Sequence, residues 1–267
     1  MRIFVSVLIL SLVPVFALSS EQRKLCHGQS PCLIGERSYH IAEPEGWDGS
    51  SPLPVLMHFH GWKRQGTLIV RHDRIVSATS KRGVLLVAPN GENRTWNFWP
   101  EDSPDIAFAR AVLEDVKARY PVDETRIYVS GYSWGSNMAW RFVCHDGADV
   151  AVLLGISGTL RPGQECQTAP IEVRQVYGLT DNVLPFPYGP GEDTSHAVRL
   201  WRDRLGCGDG EANGDWRITE LDLFTKTAWD CDGGRVTLDT HPRGHFIPRG
   251  WIARQLDEVM GLEPSYP

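Results

Sequence analysis

Apolar positions along the chain follow two alternating patterns. Short apolar runs, several of them rich in β-branched residues, alternate with longer runs whose apolar residues recur every three or four positions. The first pattern is typical of strands buried on both faces, and the second of amphipathic helices. The strand-like runs span 54–59, 84–88, 127–130, 150–154, 173–177 and 235–240. The helix-like runs span 67–81, 105–119, 134–144, 195–205 and 251–260.

This alternation predicts a doubly wound α/β fold, with a mostly parallel sheet and helices on both faces. The glycine- and aspartate-rich stretch 206–215 is predicted to be a loop, and 232–235 to be a hairpin turn. No repeat or low-complexity linker divides the chain. We therefore expect one domain over 21–267.

The first residues have the pattern of a signal peptide. Arg2 precedes a charge-free apolar run over 3–12, and small residues near Ala17 and Ser19 offer a cleavage site. The run is too short for a convincing membrane-spanning helix, although a retained anchor is the alternative. We expect residues 1–20 to be removed, leaving a secreted or periplasmic protein with no membrane association.

Charge and cysteine content restrict the class of protein further. The formal net charge is −6 and no basic block is present, which argues against nucleic acid as a partner. Six cysteines, an even number in an exported chain, predict disulfides. Proximity along the chain favours the pairs Cys26–Cys32, Cys144–Cys166 and Cys207–Cys231.

The segment 126–140 carries the most specific chemical signal. A strand-like run meets Gly-x-Ser-x-Gly at 131–135, and a helix-like run follows. Glycine at both ends permits a sharp strand-to-helix turn, which presents Ser133 above a helix N-terminus that favours negative charge. The segment predicts a serine nucleophile at Ser133, with an ordinary structural turn as the alternative.

A serine nucleophile needs a base, and the base needs an orienting acid. Asp181 lies just past a strand that ends at glycine, and His245 follows the last predicted strand. Functional groups in α/β sheets lie at such strand ends. The chain order Ser133, Asp181, His245 is also the order of α/β-hydrolase triads. Alternatives for the acid and the base are Asp193, Asp239 and His241.

An oxyanion would need two backbone N–H groups. The first is expected from Trp134, which follows the nucleophile, and the second from Trp62, in the turn after the strand at 54–59. His58 and His60 share a strand face at a spacing compatible with a metal pair. Because no further ligand completes a set, we expect no metal and assign to His60 hydrogen bonds that fix the loop.

Taken together, these segments resemble the exported esterases of the polyhydroxybutyrate-depolymerase and feruloyl-esterase type, a branch of the α/β-hydrolases. The matching segments are 54–61, 88–91, 96–97, 122–133, 178–181, 206–207, 229–231 and 244–245. The chain departs from that pattern at Trp62, Ser136 and 242–243, which lie around the expected acyl pocket. The resemblance therefore identifies the family more firmly than the substrate.

The resemblance implies that Ser133, Asp181 and His245 form the triad of a serine esterase that needs no cofactor. Expected substrates are hydroxyalkanoate oligomers or aromatic or short-chain acyl esters. His60, Trp96 and Trp99 are expected to line the substrate site, although core packing is the alternative for most of the ten tryptophans. A serine peptidase and a non-catalytic binding protein on the same fold remain the alternative functions.

Overall fold

In the part of the chain that the structure describes, ten strands form one sheet. The computed structural model describes residues 26–164, 166–168, 170–189 and 192–266, so the predicted signal peptide (1–20) lies outside the described residues. The strands of the sheet are β1 (Cys32–Ile34), β2 (Arg37–Ala42), β3 (Leu53–Phe59), β4 (Leu85–Pro89), β5 (Val122–Tyr132), β6 (Val152–Ile156), β7 (Glu172–Gly178), β10 (Glu211–Arg217), β11 (Leu223–Cys231) and β12 (Gly234–His241). A separate two-stranded ribbon pairs β8 (Tyr188–Gly189) with β9 (Glu192–Asp193).

The order of the strands is β1-β2-β4-β3-β5-β6-β7-β12-β11-β10. The strands from β4 to β12 in this order are parallel, and an antiparallel pair extends the sheet at each end. The chain begins at one edge with β1 and β2, enters the sheet at β3, steps back to β4 and then continues through β5, β6 and β7 towards the other edge. This topology confirms the predicted doubly wound, mostly parallel sheet.

Helices cover both faces of the sheet. They are α1 (Gly66–Ile69), α2 (Asp73–Ser80), α3 (Pro104–Arg119), α4 (Trp134–Asp146), α5 (His196–Arg204) and α6 (Trp251–Val259). Helices α3, α4 and α5 pack on one face, and α1, α2 and α6 pack on the other. All seven residues of β3 are buried, and alternate side chains enter the two cores, Met57 the first and Leu56 the second. This burial on both faces explains why β3 reads as a continuous apolar run.

The helix predicted over 67–81 is two helices. The backbone of His72, between α1 and α2, is extended, with φ −84° and ψ 106°. Both helices contact β4, but the first also contacts β2, whereas the second packs mainly against α6. The two segments therefore turn apart to reach different neighbours, which their shared apolar spacing did not indicate.

The prediction of a loop over 206–215 is wrong in its second half. Strand β10 begins at Glu211 and pairs with β11 as the edge of the sheet, with a bulge between Ala212 and Asp215. Stacking of Trp216 on Phe224, with ring centroids 4.1 Å apart, supports this pairing. The predicted hairpin turn after β11 is confirmed, because Cys231 pairs with Gly234 across it.

Three disulfides join the cysteine pairs expected from proximity along the chain. They are Cys26–Cys32, Cys144–Cys166 and Cys207–Cys231, with Cα–Cα distances of 4.8, 4.5 and 3.9 Å. In the part of the chain that the structure describes, no helix is both long and apolar enough to cross a membrane. The division into a signal peptide and one domain over 21–267 stays a prediction.

Candidate active site

Ser133 occupies a sharp turn between β5 and α4. Its backbone φ of 56° and ψ of −122° lie outside the regions that a residue with a side chain adopts easily. The flanking glycines make the turn possible: a Cβ on Gly131 would lie 2.2 Å from the carbonyl oxygen of Gly135, and a Cβ on Gly135 would lie 2.1 Å from that of Phe59. The Gly-x-Ser-x-Gly signal therefore has a steric cause in the fold, and it is the strand–turn–helix that the sequence predicted.

Backbone hydrogen bonds hold this turn in place. The N–H of Ser133 donates to the carbonyl of Ile156, at the end of β6, at 2.9 Å. The carbonyl of Ser133 accepts from the N–H groups of Ser136 and Asn137, which starts α4 at once. The Ser133 side chain consequently stands at the N-terminus of a 13-residue helix, where unpaired N–H groups favour an anion.

Asp181 and His245 form a hydrogen-bonded pair. His245 Nδ1 lies 2.6 Å from Asp181 Oδ2. The other carboxylate oxygen, Oδ1, accepts from the N–H groups of Val183 and Leu184, both at 2.8 Å. Burial raises the pKa of Asp181, but the bonds from His245, Leu184 and Val183 outweigh it and hold this pKa below its usual value.

The charge on Asp181 determines the tautomer of His245. An ionised carboxylate only accepts hydrogen bonds, so the proton of the neutral imidazole resides on Nδ1. The lone pair of Nε2 is then available as a base. Tyr132, the residue before Ser133, donates from its hydroxyl to the backbone carbonyl of His245 at 3.0 Å, and the two rings lie 5.0 Å apart. These contacts bring the loop of His245 beside the Ser133 turn.

The alternative acids and base have other partners. Asp239 is buried within β12 and accepts hydrogen bonds from the indoles of Trp216 and Trp251 at 2.9 and 2.8 Å. His241 is also buried, and its Nδ1 accepts from the N–H of Arg243. The side chain of the third alternative, Asp193, is not among those that the structure describes.

Trp134 and Trp62 differ in their surroundings. As the first residue of α4, Trp134 has an N–H that the helix itself does not use. Trp62 lies in a turn closed by a hydrogen bond from the N–H of Arg64 to the carbonyl of Gly61 at 3.1 Å. Its indole is 59% exposed and contacts the ammonium of Lys63. The oxyanion role of their backbone N–H groups stays a prediction.

The expectation that His60 lines the substrate site is wrong, because its side chain is completely buried. Its Nδ1 lies 2.8 Å from the carbonyl of Gly61, and its Nε2 accepts from the N–H of Gly91 at 3.0 Å. These are the loop-fixing bonds that the sequence analysis assigned to this residue. His58 bonds the hydroxyl of Ser130. Among the described residues no three His, Cys, Asp or Glu side chains are grouped to hold a metal ion.

The other predicted substrate-lining residues, Trp96 and Trp99, border a cavity of about 420 Å³ together with Trp134. Trp96 is almost fully buried and donates its indole N–H to the carbonyl of His60 at 2.7 Å, so packing is its main role. Trp99 is 45% exposed and lies 6.1 Å from the Trp134 ring. Trp99 is thus the tryptophan of this pair that is accessible to a ligand.

A second cavity, of about 700 Å³, was missed by the sequence analysis. Tyr132, His245 and Phe246 line it, and so do three arginines, Arg64, Arg71 and Arg74 (these three form the arginine cluster below). The arginines are close together in the sequence, but their spacing matches no known motif. They share a cavity because the tertiary structure places the segment after β3 against the loop of His245.

Comparisons with known proteins find esterases among the similar sequences. No family model matches the chain. Feruloyl esterase C of Emericella nidulans is 31% identical over 175 residues, which cover 61% of this chain and 63% of that protein. The chain therefore spans less than two thirds of the length of that relative. The putative esterase NocK of Nocardia uniformis subsp. tsuyamanensis is 30% identical over 240 residues, covering 78% of this chain and 68% of that protein.

Solved structures are similar in fold at low sequence identity. An acetyl xylan esterase from Aspergillus awamori has a TM-score of 0.63 at 12% identity, covering 85% of this chain and 94% of that chain. The Bacillus cereus carboxylesterase has a TM-score of 0.55 at 16% identity, covering 85% and 95%. At such identities the similarity shows a shared fold and carries no information about the substrate.

Proposed function

The chain belongs to a feruloyl esterase-like family of α/β-hydrolases, and we propose that it is a serine hydrolase that cleaves carboxylic esters through an acyl-enzyme. The observation that carries the proposal is the pairing of His245 with Asp181 beside the turn that presents Ser133. A nucleophile on a strained turn, a base and an orienting acid are the parts that acyl transfer requires.

Each proposed step uses a group whose geometry is described above. His245 Nε2 takes the proton of Ser133 Oγ as this oxygen bonds to the ester carbonyl carbon. The carbonyl oxygen becomes an oxyanion, held by the N–H groups of Trp134 and Trp62. His245 then gives the proton to the departing alcohol oxygen, and Asp181 stabilises the imidazolium meanwhile. Water, activated by His245 in the same way, releases the acid and restores Ser133; no cofactor takes part.

For the acyl group we propose an aromatic acid of the feruloyl type. The relatives named above include a feruloyl esterase. In addition, the exposed ring of Trp99 lies near the ring of Trp134, the residue that follows Ser133, and both tryptophans line one cavity. The guanidinium of Arg161 stacks on the Trp99 ring, at 3.8 Å from its centroid. Flat aromatic rings pack well on such surfaces. Hydroxyalkanoate oligomers and short-chain esters are the competing substrates.

We also propose that the protein is exported, as a secreted or periplasmic enzyme without bound nucleic acid. The support is the signal-peptide pattern of residues 1–20 together with three disulfides, which persist in oxidising compartments.

The test compares initial rates of wild type and Ser133→Ala on methyl ferulate, 4-nitrophenyl acetate and a 3-hydroxybutyrate oligomer. Loss of the nucleophile should lower kcat by at least about 10³-fold. Ser77→Ala, a change of the same kind in α2, is the matched control and should keep full activity. The highest kcat/KM is expected on methyl ferulate.

Equal rates for wild type and Ser133→Ala would reject Ser133 as the nucleophile. A folded wild type that turns over no ester would favour a peptidase or a binding protein. Ser133-dependent activity with the oligomer or the acetate as the best substrate would reject only the aromatic acyl group.

A further inference from the structure

The arginine cluster surrounds the cavity that His245 borders. The cavity holds about 700 Å³ and is lined by Gly61, Arg64, Leu68, Ile69, Arg71, His72, Arg74, Tyr132, His245, Phe246 and Ile247. No carboxylate is among these lining residues. The cavity thus combines a partly apolar wall with three permanent positive charges, on a protein whose formal net charge is −6.

The charges of the cluster are not neutralised by the protein. In the described part of the chain, no carboxylate lies within 4.0 Å of Arg64, Arg71 or Arg74, whereas most other arginines are paired. Asp73, the nearest acid along the chain, lines a neighbouring cavity. Guanidinium groups that line one cavity without counterions repel one another, and an anion among them would offset this repulsion.

One member of the cluster is fixed in place. Arg74 donates from Nη1 to the carbonyl of Ile247, and its guanidinium lies 5.6 Å from the centre of the Phe246 ring. Arg64 and Arg71 are exposed, and their side chains have no hydrogen-bond partner among the described residues. One guanidinium held against the protein, with two solvent-exposed ones lining the same cavity, is suited to a ligand that enters from solvent.

The charges of the arginine cluster also affect the pKa values of two neighbouring groups, His72 and Tyr132. Burial lowers the pKa of His72, and the charge of Arg74 lowers it further. Burial and the negative charge of Asp181 raise the pKa of the Tyr132 phenol to about 12, and the charge of Arg64 opposes this rise. His72 and Tyr132 both line the cavity, so charges of the cluster act on two lining residues, at Tyr132 against the charge of Asp181.

The side of the ester that enters this cavity follows from the proton transfer. His245 delivers its proton to the oxygen of the departing alcohol, so the alcohol must lie against the imidazole. His245 lines the 700 Å³ cavity of the arginine cluster and does not line the 420 Å³ cavity of Trp96, Trp99 and Trp134. Tyr132 and Trp134, on either side of Ser133 in the chain, line one cavity each, which provides separate places for alcohol and acid.

We propose that the alcohol part of the substrate carries an anionic group, such as a carboxylate, which the arginine cluster binds. This inference rests on the proposed ester hydrolysis and adds the chemical class of the leaving alcohol. Guanidinium groups bind carboxylates through paired hydrogen bonds, and their charge also attracts an anionic ester before contact.

The test uses two esters with the same acyl group, 4-acetoxybenzoate and its neutral isostere 4-acetoxybenzamide. We measure kcat/KM of both for wild type, Arg64→Gln, Arg71→Gln and the double variant. The preference for the anionic ester, taken as the ratio of the two values, should fall about threefold for each arginine removed, the size of an exposed ion pair. The double variant should lose on the order of tenfold, and about 0.5 M NaCl should reduce the wild-type preference.

Arg217→Gln is the matched control. Arg217 is the last residue of the edge strand β10, its side chain is 54% exposed, and it pairs with Glu220. It should leave the ratio unchanged. Dividing by the neutral ester cancels any general damage to catalysis.

Hydrolysis of both esters with a ratio that neither arginine substitution changes would overturn the inference while leaving the esterase intact. The same would follow if the charge preference appeared on the acid side, as 4-nitrophenyl glutarate over 4-nitrophenyl pentanoate, and not on the alcohol side. Failure of the esterase itself would give no Ser133-dependent turnover of either ester, and this outcome is distinct from both.

Discussion

At the scale of single residues, the backbone of Ser133 is the least common feature of the site. A residue other than glycine at φ 56° and ψ −122° has a backbone strain of roughly 1–3 kcal/mol. Its N–H donates to the carbonyl of Ile156 and its carbonyl accepts from Ser136 and Asn137, and these hydrogen bonds hold the residue there. The result is a serine held in a strained backbone conformation at the junction of β5 and α4.

The glycine that closes this turn should be irreplaceable. In Gly135→Ala the new Cβ would lie 2.1 Å from the carbonyl oxygen of Phe59, a backbone atom that cannot swing away. We expect loss of at least about 2 kcal/mol of unfolding free energy, or failure to fold, since strain and overpacking add. Urea unfolding followed by tryptophan fluorescence measures it.

Gly208→Ala is the control for this substitution, because a Cβ at Gly208 would meet nothing within 4 Å. It should change stability by less than about 0.5 kcal/mol. If the two variants were equally stable, the steric account of the Gly-x-Ser-x-Gly turn would be wrong.

At the scale of elements, a buried ion pair ties α2 to α6. Arg82, two residues after α2, donates from Nε and Nη2 to the two carboxylate oxygens of Asp257 in α6, both at 2.7 Å. The two side chains are 3% and 1% exposed. Asp257 also accepts from the N–H of Ser265, so the pair fixes the C-terminal segment as well.

Breaking this pair should destabilise the protein strongly. Arg82→Met keeps much of the side-chain volume but leaves the Asp257 carboxylate buried without its partner, which typically costs about 3–5 kcal/mol. Arg217→Met, which breaks an exposed pair with Glu220, should cost about 0–1 kcal/mol. Denaturant midpoints of the two variants measure the difference. Similar midpoints would show that water reaches the Arg82 pair.

At the scale of the whole molecule, buried histidines make stability depend on pH. Burial lowers the pKa of His58 to about 3, and the pKa values of His60 and His241 to about 4. These imidazoles are neutral in the folded protein and bind protons on unfolding once the pH falls below the ordinary value of 6.5. Their contribution to stability is complete above pH 6.5 and is lost as the pH falls towards the folded values of 4 and 3.

The unfolding free energy should therefore decrease between pH 6.5 and pH 4. Asp239 acts in the opposite direction, because burial raises its pKa and acidification relieves its charge. Three histidines outweigh one carboxyl group. Urea unfolding at several pH values measures the slope, which His241→Phe should reduce and the exposed control His27→Gln should not. A free energy that stays constant or rises over this range would contradict the expectation.

Much of the fold was predictable because its signals are local. The all-apolar run that became β3 is buried on both faces, and the spacing of 105–119 matches helix α3. The parts that were missed depend on distant partners. Strand β10 exists because it pairs with β11, and its own glycine and polar residues indicated a loop.

For the site, the same division holds. The sequence by itself determined the Ser133 turn, the chain order of Ser133, Asp181 and His245, and the cysteine pairs, because each depends on local sterics, strand ends or short chain distances. Tertiary structure decided that His60 is buried, that Asp181 bonds His245, and that three arginines meet at one cavity. Burial, pairing and charge density are properties of three-dimensional neighbours, and those neighbours exist only once the sheet has brought its strand ends together.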